Sequence, residues 1–343
     1  MRILLLLALL AVPRAEDPPR PSAAALWARG ARLEAIEAAR TELGAAPTTD
    51  AWVRLVAWQL TARRHRAALE DAERCGPPCD AQRAEALYRL GEFERALPLF
   101  DERDPVAALW KIDALEALGR FAESDAVLER ARAGAQAGDP RLHAADGRSA
   151  ARRGDLAGAE RAFRAALALE PFDGESLFGL GRALVAAGRR AEGLAVLAEH
   201  RRVLPLLDAV EFARQGLDLA PAHAPNWTAL GDAERALPRL DRAEAAYRRA
   251  ASIAHGDEAV ANALRWARLL AEDRGDVDAA VDLLARTSRA APDARLLVRA
   301  GDLLLAAHRP REAAERFAQA LALRPDDAQI ARRLAAARAT EGR

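Results

Sequence analysis

Lysine is nearly missing from this 343-residue chain: Lys111 is the only one, so almost all of the 51 basic side chains are arginines. Asparagine occurs only at Asn226 and Asn262, and cysteine only at Cys75 and Cys79. Two cysteines with no histidine near them in sequence make a poor zinc site. The six histidines, His65, His143, His200, His223, His255 and His308, are scattered, and no two have a metal-ligand spacing. Nor is any of them singled out with a nucleophile and an orienting acid, as general-base catalysis requires. No catalytic residue, metal site or cofactor is therefore predicted. Net charge is absent too, 51 basic side chains against 51 acidic ones, which removes the electrostatic footprint of a nucleic-acid binder.

Long apolar runs are also lacking, apart from about ten residues between Ile3 and Val12, too few to cross a hydrocarbon core of about 30 Å. No transmembrane span is predicted in the mature chain. Residues 1–15, MRILLLLALLAVPRA, have instead the layout of a secretory signal peptide: basic Arg2, the apolar run, then small Ala15. Pro13 stands where cleavage prefers a small residue, and no cysteine follows the run to take a lipid. Removal of Arg2 and Arg14 leaves 49 − 51 = −2. Residues 16–21, EDPPRP, then form a stiff Pro-rich lead-in. The expectation is an exported protein of the periplasm or cell envelope.

What is abundant is alanine and leucine in helical spacing, and it recurs. The stretch Asp139–Pro171 places Leu142, Ala145 and Ala150 on one helix face, breaks at Gly154-Asp155, and restarts with Ala159, Phe163 and Ala166. A hairpin of that size encloses no core alone. Gly147 lies 12 residues before Ala159, and the same step separates Gly181 from Gly193, Gly231 from Ala243 and Gly301 from Ala313. Four residues further come Phe163, Leu197, Tyr247 and Phe317, and Pro171, Pro205 and Pro325 follow as closing residues. The interval from Gly147 to Gly181 is 34 residues.

With Trp227, Leu230, Gly231, Ala243, Tyr247 and Ala250 in one unit, and Gly301, Ala313, Phe317, Ala320 and Pro325 in another, the chain resembles the tetratricopeptide repeat proteins, whose period is 34 residues. Weaker units carry Gly91, Ala96 and Phe100; Gly119, Ser124 and Leu128; and Trp52, Leu55, Ala68 and Ala72. The resemblance implies an all-α fold, a right-handed α-solenoid of tetratricopeptide-type helical hairpins. The units are expected as an N-terminal array over 22–207, an extra helix and candidate hinge over 208–223, a C-terminal array over 224–327 and a capping helix over 328–343. Ser22–Leu43 reads as one helix, half a repeat that caps the start. Trp52, Trp58, Trp110, Trp227 and Trp266 lie at core spacing.

In this family the residue after each unit's glycine faces the concave groove, which implies such places for Arg148, Arg182, Asp232 and Asp302, with Glu85 and Asp113 in the earlier units. Two readings follow. Arg148, Arg152 and Arg182 grip a carboxylate or an acidic peptide, with Phe178 touching it; or Asp113 with Arg148, and Arg182 with Asp232, form neighbouring ion pairs that recruit nothing, the reading favoured here. The lysine-and-asparagine clamp of chaperone-binding members has no counterpart in this chain. Cys75 and Cys79 are expected to form a disulfide that staples a loop; a redox role would need a strand leading into a helix, where this pair joins two helices. The functional expectation is a non-enzymatic scaffold or adaptor that takes a peptide or protein surface in its groove, in cell-envelope or secretion-machine assembly, with no nucleic acid as partner. An exported thiol–disulfide factor using Cys75 and Cys79 is the alternative.

Overall fold

The computed structural model describes residues 21–133 and 138–341. The expected signal peptide, all but residue 21 of the lead-in and the last two residues of the expected cap lie outside the described residues. Among those described, every regular element is helical. The first four helices are α1 (Ala23–Ala28), α2 (Arg32–Ala45), α3 (Thr49–Thr61) and α4 (His65–Cys75). Then come α5 (Asp80–Arg89), the short α6 (Phe93–Ala96), α7 (Pro105–Ala117) and α8 (Phe121–Ala133). The middle of the chain is α9 (Pro140–Arg152), α10 (Leu156–Leu169), α11 (Gly174–Ala186) and α12 (Arg190–Leu219). The C-terminal part is α13 (Ala224–Ala236), α14 (Leu240–Ala251), α15 (Gly256–Arg268), α16 (Val277–Ala290), α17 (Ala294–Ala306), α18 (Pro310–Leu323) and α19 (Ala328–Glu341).

Local chemistry sets the ends. Asp104, Asp139, Asp173 and Asp293 are N-caps whose carboxylates accept backbone N–H groups of the first turn. Pro105 and Pro140 follow two of them at the first helical position, where no N–H is needed. Gly91, Gly119, Gly154 and Gly188 turn one helix into the next with φ between 72° and 83°, a region that costs a side chain but not glycine.

The glycines inside helices serve packing. A Cβ on Gly147 would lie 2.6 Å from the Phe163 ring, on Gly181 2.7 Å from Leu197, on Gly231 2.5 Å from Tyr247 and on Gly301 2.6 Å from Phe317. The sequence columns are thus one contact made four times: the missing side chain admits the large one of the partner helix. Phe163, Tyr247 and Phe317 are buried as a result. Successive clusters run along the chain, from Val56 through Ala145, through Phe163 and Leu184, through Leu177 and Leu237, and on from Ala243 to Ala337.

The structure corrects two expectations. Ser22–Leu43 is not one helix, because Gly30 (φ 83°) breaks it into α1 and α2, which fold against each other. Its backbone approaches Ala222, to within 2.9 Å of an added Cβ. Pro205 does not close a unit either. α12 runs through it for 30 residues, so the helix expected over 208–223 is largely the C-terminal part of α12. Pro205 is exposed, on the side of the helix where the carbonyl that loses its donor can turn to water. The opposite side buries Val203, Val210 and Ala213, which offsets the cost of about 3 kcal/mol that a mid-helix proline carries.

Two sets of long-range ion pairs help tie the solenoid together. Arg63, in the turn between α3 and α4, lies 3.2 Å from Glu211 and 3.4 Å from Asp218 on α12. Glu170, at the end of α10, takes Arg239 and Arg242, each at 2.6 Å, from the start of α14 and the turn before it.

Candidate protein-interaction groove

Helices α9 and α11 and the intervening α10 line an open cavity of about 520 Å³. Its wall is apolar, with Ala151, Leu156, Phe163, Gly179, Ala183 and Ala186, and its rim carries Arg148, Arg152, Glu175, Phe178 and Arg182. The four residues expected to face a ligand, Arg148, Arg152, Phe178 and Arg182, are thus brought to one opening. Phe163 reaches the wall because Gly179 has no side chain: a Cβ there would stand 2.3 Å from its ring.

The three arginines differ in what they have left to give. Arg148 is saturated: its guanidinium meets Glu116 at 2.6 Å, Asp113 at 2.8 Å and also Glu175. Burial opposes its charge, but Glu175 and Glu116 more than restore it and hold the guanidinium above its ordinary value. Burial pushes the Asp113 carboxyl up despite Arg148. Burial, then Asp113, pushes the neighbouring Tyr88 hydroxyl up to about 12. Arg152 is taken by Glu116 (2.7 Å) and Asp125 (3.3 Å) and lies over Phe121.

Arg182 has no carboxylate partner among the described residues; its guanidinium stands 5.6 Å from the Phe178 ring centre. Phe178 is 44% exposed and touches His200, with ring centres 5.4 Å apart. The expected pair of Asp113 with Arg148 is present; that of Arg182 with Asp232 is not. Asp232 instead receives Arg265 at 2.8 Å and the Tyr247 hydroxyl at 2.7 Å. Asp302 pairs with Arg333, and Glu85 with Arg89 at 3.6 Å. Glu116 and Glu175 were not singled out from the sequence. The signal was there in Glu116, three residues after Asp113 on α7 and so on the same helix face.

Elsewhere the chemistry is that of packing. Cys75 and Cys79 are joined by a disulfide between the end of α4 and the start of α5, with Cys79 fully buried. Trp58 stacks on Trp27 with ring centres 4.4 Å apart, and Trp110 stacks on Tyr88 at 5.4 Å. Trp227 donates to the Pro221 carbonyl at 2.8 Å. Among the described residues no group of His, Cys, Asp and Glu is placed to hold a metal ion, and no helix is long and apolar enough to cross a membrane.

Helical hairpins stacked on one another, with an open groove, define an α-solenoid of the protein-interaction class. A tetratricopeptide repeat family model matches residues 145–203 and 298–343 of the chain. Among solved structures it is similar to MamA, with 20% identity over 55% of this chain and 94% of that one and a TM-score of 0.31. A tetratricopeptide repeat protein of Thermus thermophilus is 22% identical over 69% of this chain and 98% of that one, with a TM-score of 0.24. The Cut9–Hcn1 hetero-tetramer of the APC/C is 13% identical over 90% and 66%, with a TM-score of 0.34. No protein of curated function matches.

Proposed function

We propose that this protein is a non-enzymatic scaffold that seats an extended segment of a partner protein over the cavity between α9 and α11. One observation carries the reading. In a groove where Arg148 and Arg152 are occupied by neighbouring carboxylates, Arg182 is left without one beside an exposed phenyl ring and an apolar cavity. An apolar side chain entering the cavity, with a carboxylate nearby for Arg182, satisfies both features. A preformed surface of packed helices loses little ordering entropy on binding.

The proposed setting is outside the cytoplasm, in assembly of a cell-envelope or secretion machine. It is supported by the signal-peptide pattern of residues 1–15 and by a disulfide, which persists in oxidising compartments. The test is affinity capture from native envelope fractions, with wild type beside Arg182→Glu and Phe178→Ala. Both side chains are exposed, so both variants should keep the helical circular dichroism of the wild type while losing the partner. Unchanged recovery with both rejects the groove as the binding site. Recovery of the mature chain only from cytosolic fractions rejects the setting.

A further inference from the structure

α12 is the longest helix described, 30 residues, and its outward side is not the groove. At 100° per residue, Leu194, Arg201, Pro205, Asp208, Phe212 and Leu219 fall within about 40° of one line. Val203 and Val210, which are buried, lie on the opposite side. Leu194 and Leu219 are about half exposed, and Phe212 is 78% exposed, the most exposed large apolar side chain described. Arg201 and Asp208 form no ion pair among the described residues; the Arg201 guanidinium only reaches the Leu197 carbonyl, at 3.4 Å. Arg201 and Asp208 thus leave a cation and an anion uncommitted on the same largely apolar stripe.

The stripe complements itself when reversed. Laid antiparallel on a second copy about a two-fold axis midway between residues 206 and 207, Leu194 meets Leu219 of the second copy. Arg201 then faces Phe212 of that copy, with Asp208 one helical turn away. The Arg201–Asp208 ion pair, the Arg201–Phe212 contact and the Leu194–Leu219 contact each form twice, as an isologous interface requires. A parallel arrangement sets Arg201 on Arg201 and Asp208 on Asp208. We infer that α12 is a homodimerisation helix, and that two copies of this chain associate antiparallel along it through Phe212, Leu194, Leu219 and the Arg201–Asp208 pairs.

Sedimentation equilibrium of the full chain over a concentration series tests this. The wild type is expected to be a monomer–dimer system, and Phe212→Asp to raise its Kd by at least about tenfold, equivalent to about 1.4 kcal/mol. Folding is not at issue, since Phe212 packs against little in the monomer. Arg201→Glu alone and Asp208→Arg alone each place like charges together and should weaken the dimer, whereas the two variants mixed should form a heterodimer near wild-type affinity. A chain that stays monomeric at its highest concentration overturns the inference and leaves the stripe to a foreign partner. A dimer indifferent to Phe212→Asp, or single-charge variants that mixing does not rescue, overturns it equally.

Discussion

Gly301 has no room for a methyl group. The Phe317 ring stands 2.6 Å from where its Cβ would be, is itself fully buried, and is backed by the cluster that runs from Ala243 to Ala337. Gly→Ala in a helix interior ordinarily stabilises by up to about 1 kcal/mol; here overpacking of about 1–3 kcal/mol opposes it. Gly301→Ala is therefore expected to lower the urea midpoint, and Phe317→Ala to lower it further, through a loss of about 3–5 kcal/mol of unfolding free energy. If Gly301→Ala raises the midpoint, the contact is looser than the structure has it. This pairing of small with large was legible in the sequence because it lies within one hairpin, at a fixed separation. The state of Arg182 was not. Whether a groove arginine is paired depends on which carboxylates of two neighbouring units reach it, and Asp232 turned to Arg265 and Tyr247 instead.

At the scale of the element, Pro205 was misleading for a physical reason. A proline stops a helix when the lost hydrogen bond is not compensated, and compensation depends on which side of the helix faces water. That side is set by tertiary packing: Val203, Val210 and Leu237 form one cluster, with Leu206 and Leu207 against it. Because the helix persists, Pro205→Ala restores an N–H to a run that is already formed. The substitution should stabilise the monomer by about 1–3 kcal/mol in chemical denaturation, within the helix-interior penalty of proline. A loss of stability would show that the proline fixes a bend that packing needs. Gly30 misled in the opposite sense. Its φ of 83° ends α1 where the alanine-rich sequence around it reads as continuous helix.

Over the whole molecule the arrays are held by contacts that no repeat pattern encodes. The solenoid was legible because each unit needs only its neighbour; Arg63 with Glu211 spans 148 residues and Glu170 with Arg242 spans 72. The candidate hinge over 208–223 itself carries one electrostatic clamp, through Glu211 and Asp218, and is bridged by the other, from Glu170 to Arg239 and Arg242, and we propose that bending there requires their release. Glu170 offers the handle. Burial pushes its carboxyl up, but Arg242 and Arg239 outweigh burial and hold it below the ordinary carboxylate value.

A carboxyl with a depressed folded-state pKa contributes stability above its unfolded pKa, about 4.3 for glutamate, and loses it as pH falls through the folded value. Small-angle X-ray scattering should thus report a constant radius of gyration from neutral pH to about pH 5. As the clamp protonates below about pH 4, the radius should expand. Other carboxylates of the chain are depressed as well, Glu102 and Glu272 among them, so the informative quantity is the difference from Glu170→Gln. That variant should be more open already at neutral pH and show a smaller acid expansion. Coincident wild-type and Glu170→Gln curves would mean that the α10–α14 clamp does not hold the two sections together.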